Sequence, residues 1–278
     1  MGEKDLFKLT LACLLALIGW VNPGLAADVA DCCKQLYKNG EYEQAFPVCC
    51  EASEQGDSHA QFILGKMYYF GKGVQQDYAK AVKWYLKAAE QGYAKAQNIL
   101  GWMYNFGKGV QQDDTEAVKW YLKAADQGYA KAQCNLGWMY NFGKGVQQDY
   151  AKAVKWFCKA AEQGNANAQY GLAVMYARGK GVQQDDTEAV KWYLQAAEQG
   201  NAKAQFNLAV MYARGKGVLQ SGEAAADWYY KAGLSYLKEG KKDDALRCVE
   251  RIKDLKTALH LSVPNAFLAD KLLPKLSD

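Results

Sequence analysis

The chain repeats itself every 36 residues. Trp84, Trp120, Trp156, Trp192 and Trp228 stand in one column, and Tyr68, Tyr104, Tyr140, Tyr176 and Tyr212 in a second. Gly73, Gly109, Gly145, Gly181 and Gly217, each followed by Val, form a third. Such a period marks a stack of small supersecondary units that bury their apolar faces on one another. It also displaces the usual reading of 278 residues as two globular domains, because an array grows in one dimension.

One period, Tyr93 to Gly128, specifies two helices. Ala94-Lys-Ala-Gln-Asn-Ile-Leu-Gly-Trp-Met-Tyr104 spaces its apolar positions three and four apart. Gly107-Lys-Gly109 ends that helix, since glycine enters the left-handed region without a Cβ clash. Asp113 or Asp114 supplies a side-chain oxygen to cap the second helix, which carries Ala117, Val118, Tyr121, Leu122 and Ala125. Gly101, Ala117 and Ala124 let the two helices approach closely, and the Val and Tyr columns are expected to face the core. Half the residues are apolar, which argues against disorder, and only 4 are proline, which leaves long stretches free to be helical.

The pattern Ala-x-Ala-Gln-x-x-Leu-Gly-x-Met-Tyr, Gly-x-Gly-Val, Asp, Ala-Val-x-Trp-Tyr-x-Lys-Ala-Ala-x-Gln-Gly resembles the Sel-one-like repeat, a relative of the tetratricopeptide repeat, from about residue 53 to 236. The resemblance implies an all-α solenoid of antiparallel helix pairs, an α/α right-handed superhelix. It also implies a scaffold that binds other macromolecules and has no shared catalytic residues. The organisation expected is residues 1–26 a signal peptide, 27–56 a capping hairpin, 57–236 five repeats, and 237–278 a C-terminal capping hairpin and helix. That last helix is expected from Asn265 to Leu276 after Pro264, with Phe267, Leu268, Leu272 and Leu273 covering the hairpin.

The start of the chain reads as an export signal. Lys4 and Lys8 precede an apolar run from Leu9 to Val21, then Asn22-Pro23-Gly24 breaks it, and Gly24-Leu25-Ala26 offers small residues for cleavage. The run is short for a membrane span, and no other stretch is suited to crossing one. Periplasmic or secreted localisation is therefore expected. Cys13 would be discarded with the signal.

Export permits disulfides. Residues 32 and 50, and 33 and 49, are each centred on 41, within the Asn39-Gly40-Glu41 turn. Residues 134 and 158 are centred on 146, in the Gly145-Val146 loop. Equal distance from a turn means equal height in an antiparallel hairpin, so Cys32–Cys50, Cys33–Cys49 and Cys134–Cys158 are expected, with Cys248 alone. The swapped pairing Cys32–Cys49 with Cys33–Cys50 stays open, because connectivity is not fixed by sequence. Adjacent cysteines lack the gap usual in zinc sites, and no metal or cofactor is expected.

By resemblance, the first helix of each pair lines the concave side. The groove positions are then Phe62, Lys66 and Tyr69; Asn98, Trp102 and Asn105; Cys134, Trp138 and Asn141; Tyr170, Val174 and Ala177; Phe206, Val210 and Ala213. Phe62, Lys66, Tyr69, Asn98, Trp102, Asn105, Trp138, Asn141, Tyr170 and Phe206 are the candidate ligand residues. These columns vary between repeats while the packing columns stay constant. Large aromatics beside amides suit a protein, peptide or cell-wall component.

Other functions are weaker on the residues. A net charge of +4 spread along the chain does not make a nucleic-acid surface. The Gly-Lys-Gly loops lack the phosphate-loop spacing, and His59 and His260 are isolated. Ser235-Tyr-Leu-Lys238 matches the Ser-x-x-Lys pattern of enzymes acting on β-lactams, and some cysteine-rich relatives carry that activity in their descriptions. The companion Lys-Thr-Gly and Ser-Asp-Asn motifs are absent. A non-catalytic, monomeric binding scaffold is therefore the expectation. The alternatives are a β-lactam enzyme using Ser235 and a structural or adhesive surface protein.

Overall fold

The computed structural model describes residues 26–258 and 263–276, and the expected signal peptide and His260 lie outside them. The described residues hold fourteen α-helices, one closing 3-10 turn and no strand. Helices α1 (Ala26–Asn39) and α2 (Tyr42–Glu54) form the first hairpin. Five hairpins of the 36-residue period follow: α3 (Ser58–Phe70) with α4 (Tyr78–Glu90), α5 (Ala94–Phe106) with α6 (Asp114–Asp126), α7 (Ala130–Phe142) with α8 (Tyr150–Glu162), α9 (Ala166–Arg178) with α10 (Asp186–Glu198), and α11 (Ala202–Arg214) with α12 (Gly222–Lys238). Helices α13 (Lys242–Ala258) and α14 (Val263–Leu272) close the chain, with the 3-10 turn at Leu273–Leu276.

The last helix is thus shorter than its apolar pattern suggested. Pro274, with no N–H to donate, stands in the 3-10 turn, so α14 stops at Leu272, which is fully buried, while Leu273 is exposed. The helices form two compact units. One runs to Ala132 and adds residues 144–146, and the other holds 133–143 and 147–278. Within each, a helix packs on the one before and the one after.

The local rules behind each hairpin are visible. Asp77, Asp113, Asp149 and Asp185 each accept the N–H three residues on, at 2.9 Å, and start the second helix. Gly107 ends α5 at φ +63°. Gly109 has φ +72°, and its missing Cβ leaves room for the carbonyl of Tyr78, so this loop seats on the start of the preceding repeat's second helix. A Cβ on Gly101 would lie 2.6 Å from the ring of Tyr121, which explains the Leu-Gly pair.

The core differs from the sequence expectation in one respect. Its recurring aromatics are Tyr85, Tyr121, Phe157, Tyr193 and Tyr229 on the second helices, nearly or fully buried with first-helix residues such as Leu100 and Met103 and alanines such as Ala117, Ala153 and Ala189. The Tyr68–Tyr212 column and the valines of the glycine loops are only partly buried. They sit near the ends of the first helices and in the loops.

Within each unit a buried amide ladder runs through the hairpins and from one to the hairpin before it. The constant glutamine of Ala-x-Ala-Gln donates to the end of the preceding helix, as in Gln97 Nε2 to the Ala89 carbonyl at 3.0 Å and Gln205 Nε2 to the Ala197 carbonyl at 2.9 Å. Its own Oε1 accepts from the glutamine thirty residues on. These pairs are Gln91 to Gln61, Gln127 to Gln97, Gln163 to Gln133 and Gln199 to Gln169, at 2.7–2.8 Å. The ladder ends at Gln205, whose buried Oε1 has no partner. Thirty residues on stands Ser235.

Two of the expected disulfides are corrected. The structure joins Cys33 to Cys49, while Cys50, Cys134, Cys158 and Cys248 are free thiols. Cys32 is oxidised, but not to Cys50. Equal height in a hairpin is not enough; the two side chains must also share a helix face. Cys50 and Cys158 occupy equivalent positions three periods apart, and each lies beside a tyrosine of the following helix, Tyr68 and Tyr176. Both therefore turn away from their own hairpin partner. Cys49 instead stands in the column of Tyr85, Tyr121 and Phe157, which faces its own hairpin, and the bridge takes the place of an aromatic ring.

Candidate ligand cavities

Two cavities open among the first helices, one in each unit. The first has a volume of about 400 Å³ and gathers Phe62, Lys66, Tyr69, Asn98 and Trp102 with Phe70, Tyr85 and Ile99. Its wall is mostly rings. Phe62 packs on Tyr85 at 5.7 Å between centroids, Tyr69 meets Trp102 edge-on at 6.1 Å, and Trp102 lies 5.0 Å from Phe106. The Lys66 ammonium rests 4.5 Å over the ring of Tyr37 and 5.9 Å over that of Phe62, held by ring faces. Its charge is thus the cation of an otherwise apolar wall.

The second cavity, of about 450 Å³, is lined from α7 by Cys134, Asn135, Trp138 and Phe142, and from α9 by Asn167 and Tyr170. Asn201, Ala202 and Lys203 at the start of α11 and Glu239 and Lys241 at the α12–α13 turn complete it. Trp138 stacks on Phe142 at 5.7 Å and 14°. Burial pushes the Cys134 thiol up to about 12, so it stays protonated. Burial also raises the Tyr170 hydroxyl above its ordinary value.

Trp102 and Trp138 are both partly buried, each in its own cavity. Three candidate residues line neither. The Asn105 Nδ2 donates to Asp114 Oδ1 at 2.6 Å and ties its own hairpin. The Asn141 carbonyl accepts from Gln148. Phe206 packs edge-on against Tyr229 at 5.1 Å. What the sequence reading missed is Phe70, Phe106 and Phe142, which are 55, 58 and 62 % exposed. They are the last residues of their helices, each followed by glycine and 36 apart, so the period itself carried the signal. Arg178 and Arg214 replace them in the later repeats.

Ser235 is placed in α12 with its carbonyl accepting the N–H of Glu239, and Lys238 is exposed. It lies at the open end of the glutamine ladder and lines neither cavity.

The Sel1 repeat model matches residues 58–93, 94–129, 130–165, 166–201 and 202–235, well over half of the chain. The chain belongs to the Sel1 repeat family. Among solved structures, it is 39 % identical to a Sel1 repeat protein from Oxalobacter formigenes, with a TM-score of 0.69, covering 74 % of this chain and 85 % of that one. It is 33 % identical to c5321, a protective antigen of uropathogenic Escherichia coli with an SLR fold. That match has a TM-score of 0.79 and covers 97 % of this chain and 56 % of that one. The ERAD-associated E3 ubiquitin-protein ligase component HRD3A of Arabidopsis thaliana is 38 % identical over 45 residues, 16 % of this chain and 7 % of that protein. The chain therefore spans less than a tenth of that relative's length. The Sel1 repeats make this an α-solenoid of the tetratricopeptide-like kind, a scaffold type that serves protein interaction and is generally non-catalytic. The Cys33–Cys49 bridge points to an oxidising compartment. Among the described residues no helix is long and apolar enough to cross a membrane.

Proposed function

We propose that the protein is an exported, monomeric binding scaffold whose first cavity takes an apolar peptide segment of a partner protein. One observation carries this reading: five of the ten differentiated first-helix residues, Phe62, Lys66, Tyr69, Asn98 and Trp102, fall in one ring-lined cavity. Random surface variation would scatter them. The cavity suits a large apolar side chain, the exposed Phe70 extends the contact, and Lys66 favours an acidic neighbour on the peptide. Export by residues 1–26 to a periplasmic or extracellular site agrees with the oxidised Cys33–Cys49 pair.

The test is selection from a random peptide library followed by titration of the enriched peptides. Enrichment of an aromatic or leucine next to Asp or Glu is expected, with binding lost in Trp102→Ala and helicity kept. A library that yields no class, or binding indifferent to Trp102→Ala, defeats the reading.

A further inference from the structure

The second cavity has a different chemistry and calls for a different ligand. It is about 450 Å³, the size of a small-molecule cleft, and mixes stacked rings with amides and an ion pair. Trp138 and Phe142 lie nearly parallel, and Phe142 is largely exposed. With Phe142 almost parallel to it, Trp138 offers a ligand a π-surface. Asn201 is pinned at both ends of its amide: Oδ1 accepts the Ala204 N–H at 2.9 Å, and Nδ2 donates to Asn167 Oδ1 at 2.9 Å. Asn167 is thereby held in place at the exposed rim, with its Nδ2 still to donate. Glu239 and Lys241, paired at 2.6 Å, add an acceptor and a donor with no net charge.

A peptide anchor needs an apolar socket, which the first cavity has and this one lacks. A hydroxyl both donates and accepts, so it matches amides and a neutral ion pair alike. A pyranose with equatorial hydroxyls carries a hydroxyl edge around two apolar C–H faces, which suit an aromatic surface. We propose that the cavity around Trp138 and Asn167 is a saccharide site, with a pyranose face on the Trp138–Phe142 rings and its hydroxyl edge on Asn167 and the Glu239–Lys241 pair.

Cellotriose and chitotriose, its 2-acetamido counterpart, are the probes, titrated against the whole chain by tryptophan fluorescence and saturation-transfer NMR. Saturable binding of either sugar is expected, with ring C–H protons receiving the strongest transfer. Trp138→Ala should weaken it about tenfold or more, the equivalent of 1.4 kcal/mol. Asn167→Ala, at an exposed position that leaves the fold intact, should weaken it roughly threefold to tenfold, one hydrogen bond's worth. Trp102→Ala, in the other cavity, should leave sugar binding unchanged. The proposal is overturned if neither sugar binds, if binding survives in both Trp138→Ala and Asn167→Ala, or if it is lost in Trp102→Ala alone. Selected peptides that need Trp138 when no sugar binds would overturn it in favour of a second peptide site. Loss of sugar binding leaves the peptide reading of the first cavity standing, because that reading is measured at Trp102.

Discussion

The unfinished end of the glutamine ladder can be completed by one substitution. Gln205 Oε1 is buried without a partner, and position 235 is where Gln91, Gln127, Gln163 and Gln199 stand relative to their acceptors. Ser235→Gln should place an Nε2 within reach of Gln205 Oε1. An unsatisfied buried acceptor costs about 1–3 kcal/mol, and a formed amide bond returns about 0.5–1.5 kcal/mol, so a gain near 1 kcal/mol is expected. For a chain of this size that raises Tm by about 2–4 °C. The converse is Gln127→Ala, which strips the donor from the buried Gln97 Oε1 and should cost about 1–3 kcal/mol. Thermal and urea unfolding followed by circular dichroism measure both. If Ser235→Gln lowers stability, or if Gln127→Ala is neutral, the ladder does not hold the repeats together and its regularity has another cause.

Other consequences follow from the same geometry. Phe157→Ala should cost about 3–5 kcal/mol, the usual range for a buried aromatic, and Tyr140→Ala, only partly buried, distinctly less; equal losses in urea unfolding would contradict the burial pattern. Gly101→Ala should destabilise by about 1–3 kcal/mol because its Cβ would enter the Tyr121 ring, whereas Gly101→Ala with Tyr121→Leu should recover part of that loss. Burial pushes the Cys134 and Cys248 thiols up to about 12 from an ordinary value of 9.0. Between those values the unfolded chain has released protons that the native one still holds, so stability should fall as pH rises past 9. The urea midpoint should drop less between pH 7.5 and 10 in Cys134→Ala with Cys248→Ala; an equal drop would show that the thiols are not the cause.

The frame was legible because a solenoid writes its packing rules repeatedly. A glutamine that fills a buried rung recurs in every period, an aspartate that caps the second helix in four and a glycine that faces a ring in three, and their columns stand out without structural knowledge. Faces within a helix were less legible. The Tyr68 and Tyr85 columns are both invariantly aromatic, yet only the second fills the core, since burial depends on rotation about the helix axis and on distance from its end. The same blindness produced the Cys134–Cys158 expectation, where height matched and facing did not.

That distinction also sorts the candidate site. Positions on the first helices were singled out by their variation, and some of those side chains reach a cavity, as with Trp102 and Trp138. Asn105 lines neither cavity and bonds instead to Asp114 of its own hairpin. Its counterpart Tyr69 likewise packs on the first residue of its own second helix, Tyr78, at 5.1 Å. A column that differs between repeats thus includes side chains held inside their own hairpin as well as those that reach a cavity. Phe70, Phe106 and Phe142 are the opposite case. They are constant in three repeats, so they resembled frame, yet they are exposed, with Phe70 and Phe142 each lining a cavity. Each packs on one aromatic of its own helix, Phe70 on Tyr69, Phe106 on Trp102 and Phe142 on Trp138, and leaves much of its ring to solvent, which is the arrangement the proposed binding surface would use.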